Sequence, residues 1–126
     1  MKLLPVALAA VAMAGCATFS STDDADDFRV PLVCGPSHER LPCAAGAELG
    51  RSYRFNLLTH CGIEWAYFDG RYWVPRPRVD PPSDWANIEP GTMTLETRDE
   101  AVFAADVGGG ARFAPAHADF EPETCA

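Results

Sequence analysis

Lysine is almost absent from this chain of 126 residues, since Lys2 is the only one. Lysine and arginine together number 10 against 18 aspartates and glutamates, and the formal net charge is −8. Binding to nucleic acid, and electrostatic docking on an anionic lipid surface, both need a basic face. We therefore expect no nucleic-acid partner.

The residue patterns of familiar catalytic and metal sites are also missing. The chain has no Gly-x-Ser-x-Gly, no His-Glu-x-x-His and no paired-carboxylate pattern. It also lacks the Cys-x-x-Cys and His-x-x-x-His spacings that favour zinc. These absences favour a non-enzymatic protein, and we predict no catalytic residue, no metal and no cofactor.

His60 and Cys61 are the one pair that suggests covalent catalysis, because a histidine beside a cysteine can activate the thiol. Neighbouring residues in a strand point to opposite faces, so these two could meet only if Gly62 introduces a bulge. The less favoured alternative is therefore an extracytoplasmic metal-binding or thiol-redox protein that uses Cys61 with His60 or His117.

A sustained helical period is missing after residue 15. Apolar and polar residues alternate instead, which is typical of half-buried strands. We predict strands at Arg51–His60, Gly91–Thr97, Ala101–Val107 and Ala111–Ala114, with turns at 98–100 and 108–110. The predicted fold class is all-β, a small antiparallel meander of about six strands that closes into a barrel or a sandwich.

A β-hairpin is the feature around which the predicted fold is organised. Asp69-Gly70 stands between two aromatic runs, and this dipeptide favours a two-residue type I′ turn, which needs positive φ at both positions. Such a turn pairs Phe68 with Arg71, Tyr67 with Tyr72, Ala66 with Trp73 and Trp65 with Val74. Both sides of the hairpin then carry large rings, so each side must be covered or must form an aromatic patch.

A proline-rich stretch, Pro75–Pro90, follows the hairpin and has no regular pattern. A loop of this length in a small domain is usually functional or loosely ordered. Trp85 lies within it. We favour the interpretation that its ring plugs the second face of the hairpin, and the alternative is that the ring stacks on a ligand. The predicted surface for a ligand or partner consists of Trp73, Trp85, Asn87 and His60.

The N-terminus has the pattern of a signal peptide, in which Lys2 precedes apolar residues 3–12. The stretch is too short for a membrane-spanning helix, which needs about 20 apolar residues. The next residues, Met13-Ala14-Gly15-Cys16, resemble the lipobox of bacterial lipoproteins, in which the cysteine receives a diacylglyceryl group and the preceding residues are removed. Leucine is commoner where Met13 stands. An ordinary secretory signal is the alternative.

Fatty acyl chains such as palmitate on Cys16 would anchor the protein at the extracytoplasmic face of the bacterial cell membrane. The signal peptide then comprises residues 1–15, and residues 16–27 form an acidic, flexible tether. Calcium binding by the tether is less favoured, because the glycine turn and fixed ligand offsets of a calcium loop are missing. Residues 28–126 form the domain, and Phe28–Val33 is expected to be an edge strand.

Five cysteines are present, and Cys34, Cys43, Cys61 and Cys125 remain once Cys16 carries lipid. An even number of cysteines in a small exported domain implies disulfides, and four cysteines allow three pairings. We favour Cys34 with Cys43, which closes a short loop, and Cys61 with Cys125, which would tie the tail to the hairpin. Zinc held by cysteines together with histidines is the weaker alternative.

Several short motifs follow one another in a specific order. They are Thr59-His60-Cys61-Gly62-Ile63, Phe68-Asp69-Gly70-Arg71 with Trp73, Trp85-x-Asn87, Gly91-Thr92-Met93-Thr94-Leu95 and Ala101-Val102-Phe103. This order resembles an uncharacterised family of small exported proteins and lipoproteins from actinobacterial-type, GC-rich bacteria. The resemblance covers roughly Tyr53 to Phe113. It implies kinship and location but no activity, and this chain departs from it in a shorter, proline-punctuated middle loop and in extra cysteines.

These features together predict a cell-envelope lipoprotein that is a non-enzymatic binding or structural module. Its partners would be the membrane, through the lipid anchor, and an unidentified protein or small molecule. The predicted binding region is the Pro75–Pro90 loop together with the aromatic side of the hairpin.

Overall fold

The computed structural model describes residues 33–37 and 39–123. The predicted signal peptide, the lipid site at Cys16, the acidic tether and Cys125 lie outside the described residues. The predicted edge strand at 28–33 also lies outside them, except for Val33, which is not in a strand. Within the described ranges, no helix is long and apolar enough to cross a membrane.

Six β-strands and no helix make up the described part of the chain. The strands are β1 (Ser52–Leu58), β2 (Ala66–Phe68), β3 (Arg71–Pro75), β4 (Ile88–Thr97), β5 (Glu100–Ala105) and β6 (Gly110–Pro115). They form one sheet of order β1-β4-β5-β6-β3-β2, in which all neighbours pair antiparallel. The predicted all-β antiparallel fold is thus confirmed.

The sheet curls into a nearly closed barrel, whose two edge strands, β1 and β2, face each other across a seam. Phe68 on β2 packs against Tyr53 and Phe55 on β1, with ring centroids 6.1 and 6.0 Å apart. Among the described residues no strand pairing joins β1 to β2. Side chains rather than a hydrogen-bonded ladder therefore close this part of the barrel.

The strands are arranged as in a Greek key. The strands β2 and β3 form a hairpin, β3 lies beside β6, and β4 returns to lie beside β1. A strand that returns in this way needs a long connection. Residues 76–87, which we call the crossing loop, are that connection between β3 and β4. The length of the predicted loop is therefore explained by topology.

The strand β4 begins at Ile88 rather than at the predicted Gly91. Pro90 is tolerated inside it because pairing with β5 starts only at Gly91. In an antiparallel strand the N–H and C=O of one residue point to the same side. The carbonyl of Pro90 accepts the N–H of Asp106 at 3.0 Å on that side. The missing N–H of the proline therefore costs no hydrogen bond to β1, and on the β5 side it falls at the very end of the pairing.

The hairpin has the predicted register. Phe68 lies opposite Arg71, Tyr67 opposite Tyr72 and Ala66 opposite Trp73. Asp69 and Gly70 have φ angles of 54° and 69°, as a type I′ turn requires. One side of the hairpin enters the core, and the other faces outward.

Alternate residues of the strands fill the barrel. The largest fully buried side chains are Trp73, Phe68, Phe103, Phe113, Leu57, Met93 and Leu95. Gly91 lies at a crowded point between β4 and β5. A Cβ atom there would be 2.2 Å from the carbonyl oxygen of Ala104 and 2.7 Å from the ring of Phe103. Only glycine fits at this position.

The segment before β1 folds over the hairpin turn, and we call residues 42–50 the clasp. The carbonyl oxygens of Pro42 and Cys43 accept the N–H groups of Asp69 and Gly70 at 3.1 and 2.8 Å. At the other end of the clasp, the N–H of Gly50 donates to the carbonyl of Leu95 at 2.8 Å. The clasp thus joins the tip of the hairpin to β4.

Cys34 and Cys43 form the predicted disulfide. Both cysteines are buried, with 2% and 0% of their surface exposed. The bond holds the beginning of the clasp against the core. Cys61 is also disulfide-bonded, but its predicted partner, Cys125, lies outside the described residues.

Candidate functional site

Trp73 does not belong to any surface, which corrects its assignment to the predicted binding site. Its side chain is fully buried, and its indole N–H donates to the carbonyl of Phe68 at 2.8 Å. The guanidinium of Arg71 lies 4.3 Å from the centre of its ring. The physical reason is the strand alternation, which places Trp73 on the inner side of the hairpin.

Trp85 is a half-buried plug, but it does not cover the hairpin. Its ring packs edge-on against Phe103 with centroids 5.7 Å apart, and its indole N–H donates to the carbonyl of Gly108 at 3.1 Å. The crossing loop thus brings Trp85 to the end of the barrel where β5 turns into β6. The ring thus packs against the core beside the β5–β6 turn, and not over the second side of the hairpin as predicted.

Buried polar groups fix the end of the crossing loop beside β1. Glu89, which is only 3% exposed, accepts the N–H of Ala86 at 2.6 Å. The N–H of Thr59 donates to the carbonyl of Asn87 at 2.7 Å. The hydroxyl of Thr59 donates to the carbonyl of Ala86. Asn87 is thereby held by its backbone while its side chain is exposed.

Within the described part of the chain, His60, Cys61 and His117 do not belong to a cluster of metal ligands. His60 and His117 are both exposed, and Cys61 is already engaged in a disulfide. No group of three or more potential metal ligands occurs among residues 33–37 and 39–123. The predicted surface of Trp73, Trp85, Asn87 and His60 is therefore not one continuous patch, because Trp73 is inside the barrel.

The outer surface of the barrel differs between its two halves. Outward side chains on β1 and β4 are mostly polar, with Leu58 and Ile88 at one end: they include Ser52, Arg54, Asn56, Thr92 and Thr94. On the other half Glu100 and Arg112 are charged and Ala104 is exposed, but five outward side chains are aromatic or aliphatic and half-buried. These are Tyr67, Tyr72, Val74, Ala114 and Val102, which we call the apolar outer face. A sheet face that meets only water is normally polar.

Tyr72 is the centre of a ring cluster that also contains Trp65, Tyr67 and Phe120. Its ring centroid lies 5.6, 4.9 and 5.4 Å from theirs, respectively. All four rings are half-buried. Burial, with a smaller contribution from Tyr67, raises the pKa of Tyr72 above its ordinary value of 10.0. The cluster is therefore partly dehydrated although it lies at the surface.

Phe120 reaches this cluster from the segment that follows β6. The N–H of Ala116 donates to the carbonyl of Tyr72 at 3.0 Å, and the N–H of Phe120 donates to the carbonyl of His117 at 2.9 Å. These bonds lay the segment beside β3. The second side of the hairpin is therefore partly covered by Phe120 and not by Trp85.

A shallow cleft of about 280 Å³ adjoins the apolar outer face. Pro77 and Val79 of the crossing loop form one wall, and Val102 and Arg112 of β5 and β6 form the other. Pockets that hold a small molecule usually start at about 300 Å³. The cleft is therefore suited to one side chain or one small ring rather than to a large cofactor.

Arg112 lies at the rim of the cleft between two carboxylates. It donates to Glu96 at 3.1 Å and also to Glu100. The side chains of the three residues are 43% to 53% exposed, so water screens these pairs and each stabilises the fold weakly. Two negative charges against one positive charge leave this rim negative.

A signal for the apolar outer face is present in the amino-acid sequence. Strict alternation assigns Val74 and Val102 to the side opposite the buried Trp73 and Phe103. An apolar residue on both sides of a strand indicates that both sides are covered. The cleft, by contrast, depends on where the crossing loop places Pro77 and Val79, and no local pattern predicts that.

Comparison with models of known protein families, with curated proteins and with solved structures finds no match to this chain. The family resemblance based on the Thr59 to Phe103 motifs therefore stays a prediction. A function can be inferred only from the residues of this chain.

Proposed function

We propose that this protein is a lipid-anchored, non-enzymatic binding module of the bacterial cell envelope, and that its apolar outer face holds the partner. The observation that carries the proposal is the contrast between the two halves of the barrel. One half presents mainly serine, threonine and arginine, whereas the other, apart from Glu100 and Arg112, presents tyrosine, valine and alanine. A contiguous apolar patch on a small domain is typical of an interaction surface.

The core does not require the apolar outer face. Trp73 and Pro75 fill the barrel from β3, so that Tyr72 and Val74 point away from it. Their half-exposed apolar surface costs free energy in water, at about 25 cal/mol for each Å² that a partner could cover. Covering this surface would therefore stabilise a complex without changing the fold.

The proposed location rests on the lipobox-like residues Met13-Ala14-Gly15-Cys16. The buried disulfide between Cys34 and Cys43 supports it, since stable disulfides form mainly outside the cytoplasm. One acyl chain alone gives only reversible membrane binding, whereas the two chains of a diacylglyceryl group give firm anchoring. The acidic tether would then hold the domain away from anionic headgroups.

Growth of cells with an alkyne analogue of palmitate tests the anchor. The wild-type chain should take up the label and Cys16→Ser should not, because Cys16 supplies the sulfur that is acylated. Lys2 offers a second readout. It is the only lysine and would be removed with residues 1–15, so the mature chain should show no lysine that reacts with an amine reagent. Label on Cys16→Ser, or a reactive Lys2 in the mature protein, would contradict anchoring.

The size of the detergent-solubilised full chain tests binding. Val74→Gln and Thr92→Gln place the same neutral side chain on opposite halves of the barrel, outside the core in both cases. The wild type and the Thr92→Gln variant should have the size of a complex with the partner. The Val74→Gln variant should have the size of the single chain. Thermal unfolding of both variants verifies that they fold. The same size for all three proteins would contradict the proposal that this face holds the partner.

A further inference from the structure

The cleft combines apolar walls with a negative rim. Pro77, Val79 and Val102 supply the apolar surface, while Glu96 and Glu100 outweigh the charge of Arg112. We infer that the partner is a basic polypeptide segment, which places an apolar side chain in the cleft and an arginine or lysine beside the two glutamates. This inference rests on the proposed function, because it identifies the occupant of the same outer face.

The dimensions of the surface suit an extended segment. The ring cluster on β2 and β3 and the cleft on β5 and β6 lie at opposite ends of the apolar outer face. Neighbouring strands are about 4.8 Å apart, so four of them span roughly 15 Å, and an extended peptide covers about 3.3 Å per residue. A segment of about five residues can therefore reach from the ring cluster to the cleft.

Charge selects a basic segment over other occupants. The chain has a formal net charge of −8, and the exposed residues Asp119, Glu121 and Glu123 follow the ring cluster along the chain. Arg76 and Asp80, which flank the loop wall of the cleft, offset one another, and Arg78 within that wall is paired with Glu64 at 3.2 Å. This field repels an anionic polymer or membrane and attracts a cationic segment. A neutral saccharide can donate hydrogen bonds to the carboxylates of Glu96 and Glu100 but gains no charge attraction from them.

Two labelled peptides test the inference with the domain in solution. One alternates leucine with arginine, the other alternates leucine with glutamate, and both are about eight residues long so that they exceed the span of the face. Fluorescence anisotropy should show binding of the arginine peptide only. Its affinity should fall as salt increases, since the screening length shrinks to about 8 Å at physiological ionic strength.

Matched variants separate the cleft from the general negative charge of the protein. Val102→Gln should weaken binding of the arginine peptide about tenfold by filling the cleft, and Thr92→Gln should leave it unchanged. Glu96→Gln should weaken binding about threefold, whereas Glu48→Gln, which removes the same charge from the clasp, should not.

A substitution of Arg112 should change the affinity for the arginine peptide in the opposite direction. Arg112→Gln leaves Glu96 and Glu100 without their internal cation, so binding of the arginine peptide should tighten about threefold. Arg54→Gln changes the net charge equally on the polar half of the barrel and should have little effect. An identical response to both substitutions would mean that only the overall charge matters, which overturns the inference.

The outcomes also distinguish this inference from the proposed function. If the arginine peptide does not bind but a neutral oligosaccharide such as cellohexaose does, and Val102→Gln abolishes that binding, the face is a binding site and the inference is wrong. If anionic lipid vesicles bind instead, the inference is also wrong. If nothing binds and Val74→Gln leaves the size of the solubilised full chain unchanged, both the inference and the proposed function fail.

Discussion

The carboxylate of Asp69 accepts a hydrogen bond from the N–H of Ala47 at 2.9 Å, which connects the hairpin turn to the clasp. The same oxygen also accepts the N–H of Gly46 at 2.8 Å. In addition, the backbone N–H groups of Asp69 and Gly70 donate to the carbonyls of Pro42 and Cys43. The clasp and the turn thus each donate hydrogen bonds to the other. They meet at the end of the seam where strand pairing between β1 and β2 is missing among the described residues.

Replacing Asp69 by alanine should destabilise the domain by about 2–4 kcal/mol, because two N–H groups lose a charged acceptor. Asparagine keeps an acceptor oxygen and tolerates the positive φ of this position, so Asp69→Asn should cost about 1 kcal/mol. Urea unfolding followed by circular dichroism measures both losses. Equal losses for the two variants would show that the hydrogen bonds to the clasp are not what Asp69 contributes.

Gly70→Ala should destabilise the domain more than Gly50→Ala, although both glycines have positive φ, at 69° and 77°. A Cβ on Gly70 would lie 2.9 Å from the backbone nitrogen of Ala45, whereas nothing lies within 4 Å at Gly50. We expect about 1 kcal/mol for the backbone strain alone at Gly50 and about 2–3 kcal/mol at Gly70. Thermal or urea unfolding compares them. If Gly50→Ala costs as much, the clasp does not pack closely on the turn.

Trp85→Ala should lower the free energy of unfolding by about 2–3 kcal/mol, because it removes a large ring from Phe103 at the end of the barrel. Trp85→Phe keeps a ring there and loses only the hydrogen bond to Gly108, which is worth about 1 kcal/mol. Circular dichroism in urea separates the two variants. An unchanged unfolding transition in Trp85→Ala would restore the interpretation of Trp85 as a ligand-stacking ring.

Acid should remove the small stabilisation that Asp106 and Arg54 provide on the polar half of the barrel. Two hydrogen bonds of 2.5 and 2.7 Å join them, and these lower the pKa of Asp106 below its ordinary value of 3.8. A lowered pKa in the folded state stabilises the fold above the unfolded pKa, and the effect is lost as the pH falls through the folded value.

Asp106→Asn should therefore be less stable than the wild type at neutral pH, by about 0.5 kcal/mol because the pair is exposed. The difference should shrink below pH 3.8 and vanish once Asp106 is protonated in both states. Urea midpoints measured across this pH range provide the test. A difference that does not change with pH would show that the ionised carboxylate is not responsible.

Local patterns predicted the strands, the hairpin register and the short disulfide. Asp69-Gly70 determines its turn through two adjacent residues, and Cys34 and Cys43 are close in sequence, so neighbouring residues carry the information. The alternation within the predicted strand Gly91–Thr97 likewise agrees with the buried positions of Met93 and Leu95.

The parts that sequence reasoning missed depend on distant contacts. The clasp reaches Asp69 from Gly46, 23 residues away, and Phe120 meets Tyr72 from the tail. Trp73 was assigned to a surface because both sides of the hairpin carry rings, and only the closure of the barrel decides which side is inside. The cleft depends on the path of the crossing loop. No regular pattern predicts that path, because prolines stand at positions 75, 77, 81 and 82.

Site-specific photocrosslinking in intact cells tests most directly whether the apolar outer face holds a partner. Full-length chains carrying p-benzoylphenylalanine at position 74 or at position 92 differ only in which half of the barrel bears the probe. We expect a discrete crosslinked product from position 74 and none from position 92. Val102→Gln, combined with the probe at position 74, should diminish the product. The same product from both positions, or none from position 74, would contradict the proposal that this face holds a partner.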